Sequence, residues 1–90
     1  MSAEFEISET ALFQKMMLKP QFAQFYPKIL DYVYPQLRQN PYFGTNIKKL
    51  KGEISGKYRY RIGSIRLFYT IDGNRAIVFM VTVKDRKDAY

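Results

Sequence analysis

The sequence predicts an α+β fold of order β-α-α-β-β-β, an antiparallel sheet with two N-terminal helices packed on one face. Three observations lead there. Apolar residues recur at helical spacing through the first half of the chain. Three runs of alternating or β-branched residues follow between residues 57 and 83, separated by two Gly-containing turns. A short alternating segment precedes the helices, so helices and most strands are segregated along the chain, as in α+β domains.

Glu4-Phe5-Glu6-Ile7 alternates polar and apolar and reads as a short strand with one buried face. Ser8 then suits an N-cap, with Glu9 at the positive end of a helix dipole, so a first helix is expected from Glu9 to about Leu18. Leu12 and Met16, one turn apart, form its inner side. From Phe22 the stripe Phe22, Phe25, Ile29, Val33 and Leu37 marks a second helical stretch. Pro27 and Pro35 each lack a backbone donor, which predicts a kink at each or a helix that restarts with Pro27 in its first turn. Asn40-Pro41 ends the helix, because a residue before proline avoids the α region.

Residues 42–56 read as a connection holding Gly44, Gly52 and Gly56 around the basic cluster Ile47-Lys48-Lys49-Leu50-Lys51. Strands are then expected at Lys57–Ile62, Ile65–Ile71 and Ala76–Val83, joined by Gly63-Ser64 and by a three-residue turn Asp72-Gly73-Asn74.

A chain of 90 residues builds one core, so residues 1–90 are read as a single domain. Hydrophobic residues at 47% lie above the disordered range, so a folded chain is expected. Cysteine is absent, which excludes disulfides, thiolate metal sites and a cysteine nucleophile. No apolar run approaches the roughly 18 residues of a membrane span, and the acidic N-terminus is unlike a signal peptide. A cytoplasmic protein with no membrane partner is the expectation.

Charge is segregated. Residues 1–47 carry four basic and four acidic side chains, whereas residues 48–90 carry eleven and four, so the net +7 lies wholly in the second half. A polyanion partner explains that asymmetry better than a coat of charge for solubility, which would cover both halves.

A two-residue turn at Gly63-Ser64 sets Ile62 opposite Ile65, Arg61 opposite Arg66, Tyr60 opposite Leu67 and Arg59 opposite Phe68. One face then carries Tyr58, Tyr60, Ile62, Ile65, Leu67, Tyr69 and Ile71, joined by Ile77, Phe79, Val81 and Val83 if the second turn has three residues. The other carries Arg59, Arg61, Arg66 and Phe68. Like charges directly opposite repel by up to about 1 kcal/mol, and the strands supply no carboxylate to relieve them, which suggests a bound phosphate.

Four segments together resemble the RelE/ParE toxin superfamily. They are Ile47–Gly52, Lys57-Tyr58-Arg59-Tyr60-Arg61-Ile62-Gly63, Ile65-Arg66-Leu67-Phe68-Tyr69 and Lys84-Asp85-Arg86-Lys87-Asp88-Ala89-Tyr90. The helical region departs from the family pattern by its length and by Pro27 and Pro35. The resemblance implies a toxin held silent by a cognate antitoxin. In the RelE branch it implies an mRNA endoribonuclease acting at the ribosome, through attack of the RNA's own 2′-hydroxyl, with no metal and no small-molecule cofactor. By that resemblance Arg61, Arg66, Lys84, Arg86 and Tyr90 form the catalytic set, and Arg59, Lys57, Lys48, Lys49, Lys51 and Phe68 contact RNA. Arg59 and Arg61 stand where some relatives carry lysine, and a guanidinium is a poor base. A ParE-like inhibitor of DNA gyrase, or an inactive antitoxin-binding relative, shares the same scaffold.

Overall fold

A computed structural model describes residues 4–51 and 56–88. Five strands, β1 (Glu6–Glu9), β2 (Ile47–Lys49), β3 (Lys57–Ile62), β4 (Ile65–Asp72) and β5 (Ile77–Asp85), form one sheet in the order β1-β5-β4-β3-β2. The β3–β4–β5 meander is antiparallel as expected. The whole sheet is mixed, however, because β1 runs parallel to β5 at the edge. The connection expected over residues 42–56 contains the short strand β2, antiparallel to β3.

The helical layer begins later than expected. Thr10, not Ser8, caps α1 (Ala11–Met17), and its hydroxyl accepts from the Phe13 N–H at 3.1 Å. Ser8 and Glu9 instead extend β1, where backbone pairing with Phe79 and Met80 holds them. The inner side of α1 is Phe13 and Met17, which are buried, and not Leu12 and Met16, of which Leu12 is 50% exposed and Met16 is only partly covered.

The second helical stretch is broken into α2 (Pro20–Ala23), α3 (Tyr26–Lys28), a π-helical turn (Ile29–Val33) and α4 (Tyr34–Gln39). Pro27 sits in the first turn of a segment, where a missing N–H costs least, whereas Pro35 follows the π turn within continuous helical backbone. The Pro35 ring would crowd the carbonyl one turn back, and the widened π turn relieves that conflict. Its closing bond runs from the Tyr34 N–H to the Ile29 carbonyl. Despite the breaks, Phe22, Ile29, Val33 and Leu37 are buried and Phe25 packs beside them, as the spacing predicts.

The β3–β4 hairpin has the predicted register, with Ile62 opposite Ile65 and Arg61 opposite Arg66. Gly63 has φ +54, and a Cβ there would lie 2.8 Å from the Phe25 ring, so the turn demands glycine for both conformation and space. The β4–β5 turn differs from expectation. Asp72 pairs with Ile77, leaving a four-residue loop, Gly73 to Ala76, with Ala76 at φ 55. The extra residue reverses the phase of β5. Val78 and Met80 therefore enter the core, and Ile77, Phe79 and Val81 do not.

A bulge restores the phase farther along. Phe68 pairs with Thr82 and Tyr69 with Met80, so Val81 is the extra residue, and Val83 returns to the core opposite Leu67. Thr10 supports this irregularity. Its N–H donates to the Met80 carbonyl and its hydroxyl to the Val81 carbonyl, both at 3.0 Å. The core lies between the helices and this face of the sheet, centred on Phe13, Ile29, Leu37, Leu67 and Tyr69.

Two polar anchors cross the layers. The Glu9 carboxylate accepts from the Tyr26 and Tyr34 hydroxyls at 2.8 and 2.6 Å. The buried Tyr69 hydroxyl donates to the Pro41 carbonyl at 2.8 Å. Among the described residues no helix is long and apolar enough to cross a membrane.

Candidate nucleic-acid interface

The sheet face turned away from the helices takes its chemistry from strand alternation and from the bulge. On β3, Lys57, Arg59 and Arg61 point to this side, because Tyr58, Tyr60 and Ile62 point into the core. On β4, Arg66, Phe68 and Thr70 do the same, opposite Arg61, Arg59 and Lys57 in turn. On β5 the bulge is decisive, since it brings Thr82 and Lys84 onto this face, opposite Phe68 and Arg66.

Two transverse rows result. The first is Arg61, Arg66 and Lys84 across β3, β4 and β5. The second is Lys48, Arg59, Phe68 and Thr82 across β2 to β5. Directly opposed side chains have Cβ atoms about 4.5–5.5 Å apart, so one group of phosphate size reaches all three cations of the first row.

Arg66, at the centre, is 4% exposed. Its Nη1 donates to the Ile65 carbonyl at 3.1 Å, while its buried Nε has no partner. Among the described side chains, no carboxylate pairs with Arg61, Arg66 or Lys84. An ion pair joins Arg75 and Asp72 at 2.7 Å, in the β4–β5 turn at the opposite end of β4. Hydrogen bonds from Arg75 hold the Asp72 carboxyl below its usual value. Asp85 lies on the helix side of the sheet with Ile65, where the Gln21 amide approaches it at 3.4 Å.

The first row therefore concentrates positive charge around a buried guanidinium that lacks a full set of acceptors. Two like-charged oppositions cost up to about 1 kcal/mol each. An unpaired buried donor costs a further 1–3 kcal/mol, roughly. An anion with several oxygens would offset both.

The remaining candidates divide. Arg86 is exposed in the turn Arg86–Asp88, and its backbone N–H donates to the Ser64 carbonyl at 2.8 Å, which holds this turn beside the β3–β4 hairpin and the first row. Lys48 and Lys57 share the cationic face. Lys49 is opposite Tyr58, so it points to the helix side at the sheet edge, and Lys51 is exposed beyond the end of β2. Phe68 is 8% exposed and forms part of the floor between Arg59 and Thr82. Tyr90 lies outside the described residues. Thr82 was not singled out by the sequence, because its facing depends on a bulge that alternation does not reveal.

A family model described as the ParE toxin of the type II toxin–antitoxin system, parDE, matches residues 17–90. No curated protein sequence matches this chain. Solved structures with similar folds include the toxin–antitoxin complex RelBE2 from Mycobacterium tuberculosis. It is 21% identical, with a TM-score of 0.76, over 92% of this chain and 99% of that one. The archaeal RelE–RelB complex from Pyrococcus horikoshii is 21% identical, with a TM-score of 0.74, over 96% and 99%. The YoeB–YefM toxin–antitoxin complex from Staphylococcus aureus is 23% identical, with a TM-score of 0.67, over 91% and 97%.

Proposed function

Since this chain belongs to the ParE toxin family of type II toxin–antitoxin systems, within the RelE/ParE superfamily, we propose that it acts as an endoribonuclease cutting mRNA on the ribosome. The observation that carries this reading is the Arg61–Arg66–Lys84 row, three cations in register around a buried guanidinium with a free Nε.

RNA cleavage without an external nucleophile needs three things. The 2′-hydroxyl must lose a proton as its oxygen attacks the adjacent phosphorus. The extra negative charge on the phosphorane must be stabilised. The departing 5′-oxygen must gain a proton as its bond to phosphorus breaks. Arg66 and Arg61 suit the second task, because guanidinium groups donate several hydrogen bonds and keep their charge. For the same reason they do not serve the other two. Lys84 and Tyr90 carry the titratable groups left for proton transfer, and Arg86 adds charge beside the hairpin. Lys48, Lys57 and Arg59 extend the cationic face along β2 and β3 and would hold flanking phosphates. Lys49 and Lys51, at the sheet edge, would meet the strand farther out.

A cognate antitoxin is the proposed partner, in keeping with the similar structures that are toxin–antitoxin complexes. It would cover the cationic face in the cytoplasm until released. A second reading has one observation in its favour, the ParE description of the matching family model. In it the same face binds DNA gyrase and no RNA is cut.

Inducible expression in bacteria, followed by primer extension on a reporter mRNA, separates the two. Breaks within codons that appear on induction support the ribonuclease. Intact mRNA with a DNA-damage response supports gyrase inhibition, and growth without any toxicity indicates an inactive, antitoxin-binding relative.

A further inference from the structure

The cationic row reaches an open sheet edge at Arg61. β2 begins at Ile47, and the Asn46 carbonyl accepts the Arg61 N–H at 2.9 Å, so beyond Arg61 no strand among the described residues covers the edge of β3. A cavity of about 340 Å³ opens there, between the end of β3 and the π-helical turn. Its walls include Lys28, Tyr32, Asn46, Tyr60, Arg61 and Gly63, and among the described residues none that lines it is acidic.

We infer that this cleft is a nucleotide subsite, which takes the base and one phosphate of an RNA residue adjacent to the one cleaved; the inference rests on the RNA-cutting reading. Tyr32 is 67% exposed, a large aromatic surface left to solvent on a turn whose other side is anchored in the core by Ile29 and Val33. Bases of single-stranded RNA stack on such rings, and flanking cations hold the phosphates. Lys28, one turn before Tyr32, supplies one cation. Arg61, at the open edge of β3, lines the cleft and also stands in the row on the other face of the sheet, so a strand leaving the row passes round this edge to reach the cleft.

The floor is firm. The Tyr60 hydroxyl donates to Gln36 Oε1 at 2.7 Å, and Gly63 is backed by the Phe25 ring. The cavity is of a size that takes small organic ligands, near the lower limit of about 300 Å³ for such pockets. A cavity of about 300 Å³ elsewhere is lined by Glu9 and would repel a phosphate.

The test is fluorescence anisotropy with a labelled single-stranded RNA of about eight nucleotides, 2′-O-methylated so that it is not cut. Tyr32→Ala should weaken binding about 5- to 100-fold, while Tyr32→Phe, which keeps the ring, stays within about twofold. Lys28→Ala should lower the slope of log affinity against log salt by about 0.7. Both side chains are exposed, so each variant should fold, which circular dichroism is to check. If Tyr32→Ala and Lys28→Ala bind as tightly as the wild type, the subsite is wrong and the RNA-cutting reading stands. A wild-type protein that does not bind the RNA overturns the subsite, while primer extension after induction decides the RNA-cutting reading separately. Variants that keep RNA binding and lose only antitoxin binding assign the cleft to the protein partner and overturn the inference.

Discussion

Arg61 and Arg66 face each other across the Gly63–Ser64 turn, and Arg66 is opposed on its other side by Lys84. The strand pairing that builds this row also works against the fold. Arg66→Met keeps much of the aliphatic stem and removes the charge and the buried Nε. It should raise stability by about 1 kcal/mol, because burying apolar atoms in place of an uncompensated cation is favourable. The same variant should lose at least about 100-fold in mRNA cleavage, the scale expected for a group that stabilises transition-state charge. Urea denaturation and primer extension measure the two. A variant that is less stable and fully toxic would remove Arg66 from the site.

Thr10 joins the start of α1 to the bulge at Val81 through the hydroxyl bonds to Phe13 and Val81. Thr10→Val keeps the shape and removes both, so it should cost about 1–2 kcal/mol. Because the bulge sets the phase that puts Lys84 opposite Arg66, toxicity should fall as well. A chemical-denaturation curve shifted by less than about 0.3 kcal/mol would show that the bulge holds without Thr10.

Burial and the neighbouring Glu9 carboxylate push the Tyr26 hydroxyl up to about 12 and raise Tyr34 further. Burial also raises Tyr69, with Tyr58 and Tyr60 nearby. The folded chain therefore holds these protons at a pH where the unfolded chain has lost them. Stability from these phenols is complete below their ordinary value near 10 and is lost as pH rises toward 12. Urea midpoints measured across that window should decline. The decline should be shallower in Tyr34→Phe, and unequal slopes between it and the wild type are the quantity to compare.

Gly63 combines a positive φ with the Phe25 ring at its back. Gly63→Ala should cost about 2 kcal/mol or more, from left-handed backbone strain of about 1–2 kcal/mol and from displacing the ring. A thermal melt reports the loss. An unchanged melting temperature would mean that the turn relaxes to another conformation.

Much of the fold was legible in the chain. The spacing Phe22, Ile29, Val33, Leu37 identified the buried helical stripe, and Gly63-Ser64 gave the β3–β4 register and with it the pairing of Arg61 with Arg66. The errors share one cause. Ser8 and Thr10 are both competent caps, and the choice between them was made by β1 pairing with β5, a contact between residues about 70 apart. Ile77, Phe79 and Val81 are as apolar as Val78 and Met80, so composition could not tell which set faces the helices. A four-residue loop and a bulge decided it.

Local alternation and turn chemistry act between near neighbours, so the sequence by itself determined the strands of the meander, the glycine turn and the excess of cations in the second half. Only the tertiary structure decided that Arg66 is buried, that Lys84 completes its row and that Tyr32 and Arg61 line one cleft. Those relationships depend on strand phase and layer packing, which are set by contacts between distant segments and leave no periodic trace along the chain.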